Sequence, residues 1–161
     1  MKLLVLGLGN ILMNDDAAGV LIVGELKKYF EENEEFKIID GGTLGLDLLH
    51  YIEWADKLII VDSVNLNLAP GTVVKIEGED INVVFESKLS PHQMGLKDIL
   101  LTAELVGCRP DEVVLYGIQT KDINMDMTLS DEVNVNLGKL LEHVSNEIIN
   151  TLKLTPSKPP L

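Results

Sequence analysis

The chain has 161 residues, 46% of them hydrophobic and 24% charged, enough for one soluble globular domain with its own core. A formal net charge of −13 argues against nucleic acid and anionic membrane surfaces as partners. A single cysteine, Cys108, excludes an internal disulfide and a cysteine-based zinc site, and fits a reducing cytoplasm.

In chain order, residues 3–8 form an apolar run that predicts a buried strand. It is too short for a signal-peptide core, and no later run approaches the roughly 18 apolar residues of a membrane helix. The spacing of Val20, Val23, Leu26 and Phe30 predicts a helix over 16–30, with Asp15 as its N-cap. Gly19 and Gly24 interrupt its propensity and are expected to allow close packing onto a sheet. After the acidic connection 31–35, residues 36–40 read as a second strand with a turn at Gly41-Gly42-Thr43. A short helix over 44–52 presents Leu46, Leu49 and either Tyr51 or Ile52 inward. Residues 57–62 read as a third strand. This β-α-β-α-β rhythm implies a parallel, doubly wound sheet.

The connection 63–70 is too short for a helical crossover, so the strand over 71–76 is expected to be antiparallel and at an edge. Residues 77–94 read as irregular, 95–106 as a helix with Leu96, Ile99, Leu100 and Ala103 inward, and 112–118 as a last buried strand. Residues 121–127 read as a loop. Thr128 or Ser130 then caps a helix reaching residue 152, striped by Val133, Leu137, Leu140, Val144, Ile148 and Leu152. The expected architecture is therefore α/β, three-layered, with a mostly parallel five-stranded sheet and one antiparallel edge strand. It forms a single domain over 1–153, with a proline-rich flexible tail at 154–161.

The turn Gly7-Leu8-Gly9-Asn10-Ile11-Leu12 lacks the third glycine of the dinucleotide fingerprint. Asp15-Asp16 beside it would repel a phosphate, whereas carboxylates are hard ligands for a cation. Asp62 ends the third strand. In a doubly wound sheet the ends of strands one and three flank the switch point where ligands bind, and a cation or a shared proton relieves the repulsion of two acids there. His92, in Ser90-Pro91-His92-Gln93, reads alone as a surface histidine. Joined to Asp16 and Asp62 it completes a two-carboxylate, one-imidazole set suited to a first-row metal with open positions. His50 and His143 read as surface or boundary residues, Ser63 is a weak nucleophile candidate, and Cys108 reads as structural. Neither an HExxH motif nor a GxSxG motif occurs.

The run from Gly7 to Gly19, with Asp40-Gly41-Gly42-Thr43, Val61-Asp62, Ser90 to Gly95 and Gly117-Ile118-Gln119, resembles the [NiFe]-hydrogenase maturation endopeptidases over nearly the whole chain. The resemblance implies an aspartic-type endopeptidase that removes the C-terminal extension of the hydrogenase large-subunit precursor after nickel insertion. It also implies that Asp16, Asp62 and His92 contact the nickel in that precursor, with no organic cofactor. Many relatives carry Glu at the Asp16 position, and many carry Pro where Thr120 stands. Asp16 and Asp40 are the candidate catalytic residues. Asp40 is either a base or substrate-orienting group, or simply a residue capping the Gly41-Gly42 turn. Gly41, Gly42, Thr43 and Gln119 are the candidate substrate-binding residues, and specificity is expected in the loops 63–70, 77–94 and 119–128. The alternatives are a non-catalytic nickel carrier or metallochaperone, and a nucleotide-binding regulatory domain.

Overall fold

Five aliphatic runs become strands: β1 (Leu3–Gly7), β2 (Phe36–Asp40), β3 (Lys57–Val64), β4 (Val73–Glu77) and β5 (Glu112–Gln119). The computed structural model describes residues 1–9, 14–41, 48–78, 80–81, 107–121 and 129–153, without the side chains of Asn14 and Asp16. The strand order is β2-β1-β3-β5-β4. Neighbours run parallel except β4, which pairs antiparallel with β5 at the edge, as the short connection before it required. The described helices are α1 (Ala18–Tyr29), entered through a 3₁₀ turn at Asn14–Ala17, α2 (Leu48–Trp54) and α3 (Asp131–Leu152).

Every residue of β1 and β3 is buried, which is why both read as unbroken apolar runs instead of alternating ones. One face of the sheet packs Leu3, Val5, Ile59 and Val61 against Ile22, Leu26, Val144 and Ile148 of α1 and α3. The other packs Leu4, Leu6, Leu58 and Ile60 against Leu48 and Ile52 of α2 and against Ile81. The three expected layers follow. At the β2 edge, the Ile38 N–H donates to Glu32 Oε1 at 2.8 Å, so the acidic connection covers a strand donor that would otherwise face outward. Ser130 caps α3, its Oγ accepting from the Val133 N–H, and Asp131 and Glu132 in the first turn favour the helix dipole.

The approach of α1 to the sheet is set by two missing side chains. A Cβ on Gly19 would overlap the carbonyl oxygens of Val61 and Leu8, and one on Gly7 would overlap Val23 and the Gly19 carbonyl. Helix backbone therefore lies directly on strand backbone at the carboxyl ends of β1 and β3. Gly24 does not share this role, because it is exposed and a Cβ there would meet nothing.

Several boundaries differ from the sequence expectation. Helix α1 begins at Ala18, and its N-cap is Ala17 with no side-chain bond, not Asp15. Strand β3 continues two residues past Asp62, to Val64. Helix α2 is described from Leu48. The expected start at 44, with Leu46, the expected helix 95–106, most of 77–94 and the tail 154–161 lie outside the described residues.

At the amino end of β3 a buried cation ties α3 to the sheet. Lys57 Nζ meets Thr151 Oγ1 at 2.9 Å, Glu147 Oε2 at 3.0 Å and Glu112 Oε1 at 3.4 Å. Glu147 also accepts from the Tyr116 hydroxyl at 2.8 Å and pairs with Lys75 Nζ at 3.2 Å. Burial opposes the Glu147 charge, but the bonds from Tyr116, Lys57 and Lys75 outweigh it and hold the carboxyl below its ordinary 4.5. Burial, with the bond to Glu147, pushes the Tyr116 phenol up to about 12.

A depressed carboxyl contributes stability above its unfolded value that is lost as pH falls through the folded value. Glu147→Gln should therefore cost about 2 kcal/mol near neutrality and flatten the loss of stability below about pH 4.5, read by urea denaturation across pH. The raised Tyr116 pKa acts at the other end, its contribution fading as pH rises from 10 to about 12. The two helix glycines should diverge in thermal denaturation. Gly19→Ala should destabilise by about 2–3 kcal/mol through overpacking, and Gly24→Ala should stabilise by about 0.5–1 kcal/mol.

Candidate active site

The carboxyl ends of β1, β2, β3 and β5 form one edge of the sheet, where Asp40 and Asp62 stand. Asp40, Gly7, Val61 and Tyr116 pair laterally across β2, β1, β3 and β5. The β1–β3 ladder ends at Gly7 opposite Val61, after which the Leu8 N–H closes onto the Val61 carbonyl at 2.9 Å. Asp62 is the next residue of β3, just beyond that ladder and opposite Gly117 of β5. It stands where the strand order reverses, β1 having β2 on one side and β3 on the other.

Asp62 is fully buried. The strand pleat places it on the face of Ile60 and Val64, and its Oδ1 accepts the Ser63 N–H at 2.8 Å. A carboxylate kept at this depth is costly unless donors or a cation meet its charge. Gly117 beside it carries no side chain, and Val64 fills the space where its Cβ would stand. Asp40 ends β2 and is exposed. By the pleat it faces the opposite side of the sheet from Asp62, with the two strand axes about 10 Å apart.

The 3₁₀ turn that carries Asp16 packs against both α1 and β3. The Gly19 contact with Val61 and Leu8 fixes this approach, so the Asp16 backbone lies beside the strand of Asp62. The Asp16 side chain, Gly42, Thr43 and His92 lie outside the described residues. Among the described residues no three His, Cys, Asp or Glu side chains gather as a metal site.

Gly41 is buried, its N–H donating to the Gly7 carbonyl at 2.8 Å, and a Cβ there would overlap Leu6. Gln119 is buried at the end of β5. Its Oε1 accepts from the N–H groups of Leu66 at 2.8 Å and Leu68 at 3.3 Å, and its Nε2 donates to the Thr120 carbonyl at 3.0 Å and Asn65 Oδ1 at 3.3 Å. The carboxamide thereby braces the loop that leaves β3 just after Asp62. His50, His143 and Cys108 are exposed.

Asp15 is a correction and an addition. It does not cap α1. It is fully buried, and its carboxylate reaches residues far along the chain. Oδ2 accepts from the Lys121 N–H at 2.7 Å and the Ser130 hydroxyl at 2.9 Å, and Oδ1 accepts from the Ser130 N–H at 2.8 Å. Three donors converging in the interior hold this carboxylate more strongly than a helix end in solvent would. No local spacing in the sequence signals it, because the partners lie 106 and 115 positions away.

The profile of a family described as hydrogenase maturation protease matches residues 20–147. The chain is 37% identical over 145 residues to the hydrogenase 2 maturation protease of Escherichia coli K12, covering 89% of this chain and 88% of that one. It is 37% identical over 123 residues to the hydrogenase expression/formation protein HupD of Bradyrhizobium diazoefficiens, covering 76% of this chain and 64% of that one. Among solved structures, the hydrogenase maturating endopeptidase HybD of E. coli superposes with a TM-score of 0.87 at 35% identity, covering 94% of both chains. The [NiFe] hydrogenase maturation protease HybD of Thermococcus kodakarensis gives 0.73 at 31% identity, covering 91% of this chain and 99% of that one. With the sheet order, the acids at its carboxyl edge and these likenesses together, the chain belongs to the hydrogenase maturation protease family and is a peptidase.

Proposed function

We propose that this peptidase acts in the cytoplasm on a [NiFe]-hydrogenase large-subunit precursor. It removes the C-terminal extension after nickel insertion, reading the precursor's nickel with Asp16, Asp62 and His92. The observation that carries the reading is the fully buried Asp62 carboxylate at the switch point, next to the turn that holds Asp16. A buried carboxylate attracts a cation strongly in such low-dielectric surroundings, and oxygen and imidazole donors suit nickel.

In this reading the metal belongs to the substrate, and no organic cofactor takes part. The nickel anchors the precursor so that the scissile peptide lies across the carboxyl edge of the sheet, and it polarises the carbonyl under attack. The Ser63 N–H holds one oxygen of Asp62 in place. In this reading Asp40, exposed at the end of β2, takes a proton from water or orients the tail, and Gly41, Gly42 and Thr43 contact the substrate. Gln119 acts on the substrate through the 65–68 loop that its carboxamide holds.

Mass spectrometry of the precursor, loaded with nickel or free of it, tests the reading. Wild type should release a C-terminal peptide only from nickel-loaded precursor. Asp16→Ala and Asp62→Asn should each slow release by about 100-fold or more, and Asp40→Asn by about 100-fold as expected of a general base. Wild-type cleavage regardless of nickel would overturn the metal reading. Tight complex formation without cleavage would point to a carrier, and an unchanged rate in Asp40→Asn would remove the base.

A further inference from the structure

We infer that Asp15 is a positioning residue for the peptidase reaction, fixing the backbone of Asp16 by clamping the β1–α1 turn to two distant parts of the chain. The inference rests on the proposed role of Asp16 at the precursor's nickel. Asp15 is fully buried and carries no substrate-facing role in that mechanism. Among the described residues its carboxylate accepts three hydrogen bonds of 2.7, 2.8 and 2.9 Å, from the Lys121 N–H, the Ser130 N–H and the Ser130 hydroxyl. These donors follow the end of β5 and precede α3, so one side chain joins three elements.

The chemistry at Ser130 is directional. Its oxygen accepts the Val133 N–H that starts α3, so its single proton is the one available to Asp15. On the outer side, Lys121 Nζ pairs with Glu132 Oε1 at 3.0 Å, closing the same junction a second time. A carboxylate offers acceptor oxygens to all of these donors, which a carboxamide cannot do. Asn at this position would turn an NH₂ group against at least one of them. Asp16 follows directly in the same 3₁₀ turn, so any shift of the Asp15 backbone moves Asp16 as well. A displacement of about 1 Å in a group that positions a substrate can cost about 100-fold in rate.

The test is steady-state cleavage of nickel-loaded precursor by wild type, Asp15→Asn, Ser130→Ala and Ser130→Thr, each checked for fold by circular dichroism. Asp15→Asn should lower kcat by about 10- to 100-fold because the clamp moves Asp16, and should raise KM by a smaller factor, about threefold, because the same carboxylate also holds Lys121 at the start of the 119–128 loop. Ser130→Ala should lower kcat by a smaller factor, and Ser130→Thr, which keeps the hydroxyl, should restore it. A folded Asp15→Asn with wild-type kcat would overturn the inference. If Asp15→Asn does not fold, equal kcat in Ser130→Ala and Ser130→Thr would overturn it. If wild type binds the precursor without cleaving it, the proposed function fails by itself. The clamp is then read from binding. Asp15→Asn should lose the wild-type preference for nickel-loaded over nickel-free precursor, and an unchanged preference would overturn it.

Discussion

Backbone against backbone is the constraint on which the carboxyl edge of the sheet depends. Gly19 of α1 rests on the carbonyls of Val61 and Leu8, and Gly7 of β1 leaves room for Val23 and for the Gly19 carbonyl. Any side chain at either position would lift the helix off the strands. The 3₁₀ turn at Asn14–Ala17 enters α1 just before that contact, so the same approach fixes where Asp16 stands relative to Asp62. The glycines that bring the layers together also bring the Asp16 backbone beside β3.

Both ends of β3 bury a charged residue. At the amino end Lys57 meets two carboxylates and a threonine hydroxyl, and the resulting network holds α3 to β3, β4 and β5. That is a closed, structural solution to a buried ion. At the carboxyl end Asp62 lies equally deep, with the Ser63 N–H on one oxygen and the side-chain-free Gly117 beside it. In the proposed reading, this buried acid at the switch point of the sheet receives the cation that the precursor brings. Gln119 and Asp15 act around it as braces, one holding the loop after β3 and the other the turn before α1.

Much of the fold was legible in the sequence because its signals are local. Strands β1 and β3 announce themselves as aliphatic runs covered on both faces, and the short 63–70 connection forces β4 to turn back antiparallel. Helix α3 shows both its stripe and its Ser130 cap. The misreadings arise where partners are distant or absent. Asp15 looked like a cap because its three donors lie more than a hundred residues away, and Gly24 resembled Gly19 although only Gly19 faces backbone. At the site, the place of Asp62 at the switch point was legible, but its complete burial was not, since depth follows from the tertiary cover of β3. The bracing by Gln119 likewise depends on a loop folded back over 53 positions.

The most direct test of the central claim, that Asp62 meets the precursor's nickel, is nickel K-edge X-ray absorption on the precursor alone and in complex with this protein. Binding of the wild-type protein should add oxygen and nitrogen scatterers to the nickel shell at about 2.0–2.1 Å, and Asp62→Ala should lose part of that change while still forming the complex. A nickel shell unaltered by complex formation, or altered identically by wild type and Asp62→Ala, would contradict it.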